Sequence, residues 1–145
     1  MREKYRYLEH TADVEFLAYG ASLDELFGNA LLAMFDTSAD IRKLARQRSR
    51  RMRFRLKEAS NDTAGLLWRT LQGALSVASA KGIFAYSVAG LKVRETKKGY
   101  ALEATILGRK GAAEFAKLDV KGVSRYELDV SRVGRHFEAR AVLDV

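Results

Sequence analysis

Three aspartates are the residues whose type and position could support chemistry. Asp13 ends a short connection that contains a histidine, Asp40 follows a predicted helix, and Asp144 is the last residue but one. Considered singly, each is explained by local structure: a turn, a helix cap or exposed loop, and a solvated strand end. Considered together with a backbone or terminal carboxylate oxygen of Val145, they would form a calcium-type site, because calcium takes oxygen ligands from several segments.

The composition limits which metal such a site could hold. Cysteine is absent and there are two histidines, His10 and His136, which excludes a thiolate site and a histidine-rich zinc site. Mainly oxygen ligands remain, and they predict a hard divalent cation: calcium, or alternatively magnesium or manganese. Nothing pairs His10 with a nucleophile, so orienting a loop explains it better than general-base catalysis does. His136 lies on the polar face of a predicted strand, where we expect it to be exposed.

A short basic segment carries the excess positive charge of the chain. The formal charge is +8, from 26 basic and 18 acidic residues. Nine of the basic residues and no acidic ones lie between Arg42 and Lys57, so the rest of the chain has a net charge of −1. From Arg51 to Lys57, apolar and basic residues alternate strictly, which predicts a half-buried strand. Its outer side would present Arg51, Arg53, Arg55 and Lys57.

These four basic side chains have three interpretations. They could contact RNA phosphates, they could bind an acidic protein surface, or they could form a solvated strand face that discourages edge-to-edge aggregation. No aromatic residues alternate with the arginines on the outer side, which weakens the case for stacking on single-stranded RNA. The sequence leaves the alternatives open.

Hydrophobic spacing predicts the elements that must position these residues. Two short strands, Tyr5 to Glu9 and Val14 to Tyr19, flank the connection that contains Asp13. The capping box Ser22-Leu23-Asp24-Glu25 begins a helix that ends near Thr37. Asn61 or Asp62 caps a second helix, Thr63 to Ala80, and Gly82 stops it. Further strands are predicted at Arg51 to Lys57, Phe84 to Glu95, Tyr100 to Leu107, Val120 to Asp129 and His136 to Asp144.

Strands therefore surround two helices without regular alternation, which predicts an α+β fold with two helices packed on a mostly antiparallel sheet. A length of 145 residues and the absence of proline-rich or glycine-rich linkers predict one domain, residues 1–145. No apolar run approaches the ~20 residues that span a bilayer, and the N-terminus does not resemble a signal peptide. We expect a cytoplasmic protein that does not contact a membrane.

The two ends of the sequence resemble the archease family. The opening resemblance runs from Tyr7 to Val14, continues through Ala18-Tyr19-Gly20 and Ser22 to Ala30, and extends through Met34-Phe35 to Asp40. Near the other end, Val120 to Tyr126 is similar to the family's Lys-Ala-Val-Thr-Tyr-His stretch. The final residues, His136 to Val145, resemble the family's closing strand, which typically ends in Asp-Ile.

The resemblance implies a fold and a role. Archeases are described as a duplicated strand-helix-strand-strand module. They assist the RtcB-type RNA ligase, which joins exons of tRNA and other RNAs using GTP: they promote guanylylation of the ligase, and hence its multiple turnover, and do not ligate RNA themselves. Their acidic metal site is essential for this help. By position, its ligands fall on Asp13, Asp40, Asp144 and an oxygen of Val145. The family is also linked to tRNA methylation, so modulation of a tRNA methyltransferase, or direct binding of tRNA, is the alternative function.

Departures from the family pattern leave the three aspartates untouched. Glu15 stands where the family usually has glycine, so the loop near the metal is expected to differ. Gly108-Arg109 replaces the usual Gly-Glu. Gly122 and Ser124 are conservative changes within the Lys-Ala-Val-Thr stretch.

Overall fold

The computed structural model describes residues 3–8, 13–111 and 113–145. Eight strands and three α-helices occur in these ranges. In chain order they are β1 (Tyr5–Leu8), β2 (Val14–Gly20), α1 (Leu23–Ser38), α2 (Ile41–Ala45), β3 (Met52–Ser60), α3 (Thr63–Lys81), β4 (Phe84–Thr96), β5 (Gly99–Arg109), β6 (Gly122–Val123), β7 (Asp129–Val133) and β8 (His136–Asp144), with a single 3₁₀ turn at Ala113–Phe115 before β6. Within the described ranges, no helix is long and apolar enough to cross a membrane.

The strands form two antiparallel sheets. One has five strands, with the order β1-β2-β8-β6 and with β7 also paired to β8, and the other has three strands in the order β3-β5-β4. Each sheet contains a hairpin whose second strand pairs with the strand before a long helix. In the larger sheet, β8 of the β7–β8 hairpin pairs with β2, which precedes α1. In the smaller sheet, β5 of the β4–β5 hairpin pairs with β3, which precedes α3. The unit β3-α3-β4-β5 is thus inserted into a second unit, β2-α1 followed by β7-β8. This nested arrangement agrees with the expected duplicated strand-helix-strand-strand fold, and the α+β prediction is confirmed.

The first long helix begins at the capping box that the sequence predicts. Ser22 Oγ accepts a hydrogen bond from the Glu25 amide at 3.2 Å, and Glu25 Oε1 accepts one from the Ala21 amide at 2.9 Å, one residue earlier than the usual reciprocal partner. The buried side of α1 is wide, because the helix contacts strands of both sheets. Its fully buried side chains include Leu26, Phe27, Ala30, Leu31 and Ala33.

The second long helix, α3, also has the predicted ends. Asp62 Oδ1 accepts from the Gly65 amide at 2.7 Å, and Gly82 ends the helix in the left-handed conformation, with φ of 63°. Its apolar side chains join those of α1 and of both sheets in one core. Burial of these side chains is the main stabilising contribution, at about 1.5–3 kcal/mol for each fully buried large residue.

Two predictions of local structure were wrong. The segment Val120 to Asp129 is not one strand: only Gly122–Val123 and then Asp129–Val133 are extended and paired. Two side chains of α3 form hydrogen bonds with the backbone of Val123: Trp68 Nε1 donates to its carbonyl at 2.8 Å, and Gln72 Oε1 accepts from its amide at 3.1 Å. Glu127, with φ of 58°, then turns the chain before β7.

The second error is the number of helices, because α2 adds a third. It has five residues, begins at an Asp40 cap and buries Leu44 against Tyr86 and Phe115. The adjacent Arg42 and Lys43 mask its apolar side in the sequence. The basic strand also starts one residue later than predicted, because Arg51 precedes β3.

Candidate metal centre and basic surface

Asp13 and Asp144 lie at the same end of two neighbouring strands. The β2–β8 ladder pairs Val14 with Leu143, so continuing the antiparallel register by one residue sets Asp13 opposite Asp144. Asp144 is exposed and Val145 directly follows it. On the other side of β8, the Lys121 amide donates to the Asp144 carbonyl at 2.7 Å. The strand end that carries the Asp144 carboxylate is therefore held from both sides.

Asp13 also lines a cavity of about 290 Å³ between the strand end and the last turns of α1. A second carboxylate, Asp36, lies in the same wall together with Lys117. Asp36 accepts a hydrogen bond from the Tyr5 hydroxyl at 2.8 Å and pairs with Lys117 Nζ at 3.2 Å. Sequence reasoning missed Asp36 and Lys117. The signal that could have found Asp36 is a charged residue in the last turn of an otherwise buried helix.

Two tyrosines fix this wall as hydrogen-bond donors. Burial raises the pKa of Tyr5 strongly, and its hydrogen bond to Asp36 raises that pKa further. Burial also raises the pKa of Tyr7, whose hydroxyl donates to the Ala33 carbonyl at 2.9 Å. Both hydroxyls therefore remain protonated far above neutral pH. They hold the C-terminal turns of α1 in place beside Asp13.

Asp40 occupies a different position. It is exposed, and its Oδ1 accepts from the Lys43 amide at 3.1 Å as the N-cap of α2. Its own amide donates to the Phe115 carbonyl at 2.9 Å, which ties α2 to the segment that also carries Lys117. The capping explanation of Asp40 is therefore confirmed, and Oδ2 is the carboxylate oxygen that the cap leaves available.

The donor chemistry suits a hard cation, although the described residues do not form a complete cage. Asp13, Asp144 and Val145 lie at one strand end. Among the residues that the structure describes, no three His, Cys, Asp or Glu side chains are grouped closely enough to hold a metal ion. Glu9, His10, Thr11 and Ala12 lie outside the described ranges, and so does the predicted loop-orienting role of His10. The metal site stays a prediction.

The predicted basic side chains lie on the outer side of the three-stranded sheet. Arg53, Arg55 and Lys57 of β3 are exposed, whereas Phe54 and Leu56 between them are buried. Lys57 Nζ lies 3.5 Å and the Arg55 guanidinium 3.8 Å from the Glu103 carboxylate on β5. Arg51 is exposed in the loop before β3. The alternating strand is confirmed, while its contact with RNA or protein stays a prediction.

Arg109, at the end of β5, holds the loop between α2 and β3 against this sheet. This loop, residues 46–51, is called the basic loop. Its side chain is 8% exposed, Nε donates to the Leu44 carbonyl at 2.8 Å, and a terminal nitrogen donates to the Ser49 carbonyl. The guanidinium also lies over the Tyr86 ring, 5.3 Å from its centroid. The departure from the family's Gly-Glu pattern thus has a structural role, which is to fix the segment that leads into β3.

The other candidates are explained by packing. His136 is half-buried, not exposed as predicted, because its ring meets Tyr19 edge-on and its Nε2 lies 3.6 Å from Glu138. Trp68 packs against the core, and the Arg125 guanidinium lies over its ring, 3.9 Å from the centroid. Glu15, unusual for the family, is buried under Arg140, whose Nε lies 3.3 Å from its carboxylate.

Comparisons with known proteins match nearly the whole chain. The sequence model of the Archease protein family matches residues 5–145. The chain is 30% identical to "Protein archease" of Methanosarcina mazei and 31% identical to that of Methanosarcina acetivorans, in each case over 99% of this chain and 97% of the relative.

Solved structures show the same fold. The solution structure of Methanobacterium thermoautotrophicum protein 1598 has a TM-score of 0.79 and 27% identity, covering 98% of this chain and 99% of that one. The crystal structure of a Thermotoga maritima archease, described as a possible chaperone, has a TM-score of 0.62 over 100% of this chain and 98% of that one. At 16% identity, this second likeness concerns the fold alone.

Proposed function

The chain belongs to the archease family, and from this premise we propose that it is a metal-binding accessory protein that activates an RtcB-type RNA ligase. It promotes GTP-dependent guanylylation of the ligase, and hence multiple turnover, without ligating RNA itself. The observation that supports the proposal is the register of β2 and β8, which puts Asp13 and Asp144 at the same strand end, where Asp13 also lines a cavity. Carboxylate oxygens from two strands are the kind of ligand that a hard divalent cation takes.

Asp13, Asp144 and an oxygen of Val145 would hold the cation, and Oδ2 of Asp40 is the further ligand that the family pattern implies. The cation is calcium or, alternatively, magnesium or manganese, because all of these accept oxygen ligands. When bound, it would neutralise the carboxylates and make this strand end attractive to phosphate or carboxylate groups of a partner.

The chain's own residues keep the strand end rigid for a partner. Lys121 and Val14 fix the backbone on the two sides of β8. Asp36, through Tyr5 and Lys117, joins β1, α1 and the segment before β6 into one wall beside Asp13. A preorganised surface loses little conformational freedom on binding, so a larger share of the contact free energy remains as affinity for the partner.

Replacing Asp144 with alanine tests the proposal. Asp144→Ala should abolish stimulation of ligase guanylylation, measured as transfer of labelled GMP from GTP to the ligase, and should weaken calcium binding in isothermal titration calorimetry. Asp129→Ala is the matched control, because Asp129 is an exposed acid on β7 in the same sheet and away from the strand end. Circular dichroism should show both variants folded, since Asp144 is exposed.

Unchanged guanylylation by a folded Asp144→Ala protein would refute the metal-dependent role. Asp40→Ala separates capping from ion binding. Loss of the cap should cost about 1 kcal/mol of stability in either case, whereas calcium affinity should fall only if Asp40 is a ligand. Modulation of a tRNA methyltransferase stays a prediction.

A further inference from the structure

The outer side of the three-stranded sheet is a second surface, separate from the strand end that carries Asp144. The helices cover the inner side, where Phe54, Leu56 and Ile106 are buried. On the outer side, α2 covers only the end near Tyr86 and Leu107. We call the open remainder the basic face, and its charged members are Arg53, Arg55 and Lys57 of β3, Lys92 and Arg94 of β4, and Glu103 of β5.

The cations of the basic face form two rows. Alternate residues along β3 repeat at roughly 6.6 Å, and β5 separates β3 from β4, so the rows lie about 10 Å apart. Lys92 and Arg94 belong to the second row because they pair in register with Glu103 and Ala101. Between the rows, Glu103 is the charged side chain of β5. Its neighbours on the same side, Ala101 and Thr105, are small and uncharged.

Internal ion pairs neutralise only part of this face. Glu103 is shared by Lys57 and Arg55, and Lys92 lies 3.6 Å from Asp24 at the start of α1. Arg53 and Arg94 form no ion pair within the described part of the chain. More arginines follow in the adjacent loop that Arg109 holds in place, at positions 46, 48, 50 and 51. The basic face and this loop together form a concentrated positive surface. A partner that matches it is an anion with many charges.

The surface chemistry favours a phosphate backbone over an acidic protein. Protein interfaces depend on apolar and aromatic anchors at their centre. The exposed large hydrophobic residues of the described chain are Tyr7, Leu118, Tyr126 and Val133, and none of them belongs to this sheet. Arginine and lysine without such anchors suit backbone phosphates, which need charge and hydrogen bonds but no pocket.

The shape of the face favours double-helical RNA. No aromatic side chain is exposed on it, so bases of a single strand have nothing on which to stack. A three-stranded sheet is too broad for the B-form major groove, which admits one helix or a two-stranded ribbon. A-form RNA instead presents a wide, shallow minor groove between its phosphates. We propose that the basic face binds the phosphate backbone of double-helical RNA across this groove, without reading the sequence.

The proposal is independent of ligase activation and can be tested with the isolated protein. The probes are a labelled 20-base-pair RNA duplex, a DNA duplex of the same sequence and a polyglutamate peptide, followed by fluorescence anisotropy at several salt concentrations. The test variant is Arg53→Glu with Arg94→Glu. The matched control is Arg132→Glu with Arg135→Glu on the β7–β8 hairpin, which changes the net charge equally on the other sheet.

The RNA duplex should bind most tightly, and the test variant should weaken it at least tenfold while lowering the slope of log affinity against log salt by roughly 2. The milder change Arg53→Gln with Arg94→Gln should give a smaller loss in the same direction. The control pair should leave RNA affinity within about twofold, with all variants equally folded by circular dichroism. The proposal is overturned by any of three results: equal effects of test and control variants, DNA binding as tight as RNA binding, or polyglutamate binding tighter than RNA.

Discussion

Replacing Arg109 with methionine should loosen the basic loop and lower the stability of the whole protein. Methionine keeps the unbranched stem of arginine as far as the Nε position but lacks the guanidinium and its donors. The variant would lose the hydrogen bonds to the carbonyls of Leu44 and Ser49 and the contact with the Tyr86 ring. Leu44 is fully buried, so its carbonyl has limited access to water as a substitute partner.

The size of the effect follows from opposing contributions. Each hydrogen bond from a charged donor contributes about 1.5–3 kcal/mol, and a cation–π contact contributes roughly 0.5–2 kcal/mol. Burying a guanidinium costs several kcal/mol, which methionine avoids. The expected net loss is about 2–3 kcal/mol, and for a chain of this size it should lower the melting temperature by roughly 5–10 °C.

Two measurements check this expectation. Urea unfolding gives the free-energy change, and amide hydrogen exchange followed by mass spectrometry reports on residues 44–51. Exchange in this segment should accelerate more than in the core strands. Arg109→Lys should fall between methionine and the native protein, because lysine keeps the charge but cannot reach both carbonyls in the same way. Arg135→Met is the control, since Arg135 is exposed, and it should change stability by less than about 0.5 kcal/mol.

Unchanged unfolding midpoints together with unchanged exchange of residues 44–51 would refute the assignment of Arg109 as the residue that holds the loop. In that case the burial of α2 through Leu44 and Phe115 would be sufficient to fix the segment.

Two further predictions concern the core side of β3 and α3. Thr70→Val should stabilise the protein by about 1 kcal/mol, because Thr70 Oγ1 is buried without a hydrogen-bond partner in the described structure and valine has the same shape; calorimetry that showed a lower melting temperature would contradict this. Burial raises the pKa of Glu58, and nearby Arg69 only partly opposes the shift. The protonated form of Glu58 is therefore the one that the folded state favours. Its contribution to stability is complete below the pKa that Glu58 has in the unfolded chain, and it is lost as the pH rises through the pKa that Glu58 has in the folded protein. Glu58→Gln should accordingly raise the melting temperature at neutral pH, with the gain shrinking below about pH 4, and a gain of equal size at both pH values would exclude ionisation as the cause.

The parts of the fold that could be predicted from the sequence are those with local signals. The ends of α1 and α3 follow from Ser22, Asp62 and Gly82, whose side chains or backbone act within a few residues. The strands β1, before Asp13, and β8, after Gly134, follow from the spacing of apolar residues along the strand, which is also a local signal. These signals need no knowledge of the tertiary structure.

The parts that could not be predicted depend on distant contacts. Val123 bonds through its backbone to Trp68 and Gln72, more than fifty positions earlier, and the chain turns at Glu127, so alternation alone gives a strand that is too long. The helix α2 is stabilised by burial of Leu44 against β4 and the 3₁₀ turn, not by its own propensity.

The candidate site shows the same division. The resemblance to archeases placed Asp13 and Asp144, and their register supports that placement. The wall formed by Asp36 and Lys117 exists only after α1 meets the segment before β6, so no local pattern reveals it.

The nested arrangement of the two units has a consequence for synthesis on the ribosome. The inserted unit, from β3 to β5, is contiguous and can close its own sheet as soon as it has emerged. The outer unit cannot, because β2 must wait for β8, at the far end of the chain. Asp13 can therefore reach its place beside Asp144 only after β8 has emerged. A nascent chain in which β8 has not yet emerged would therefore carry the basic face without the acidic strand end.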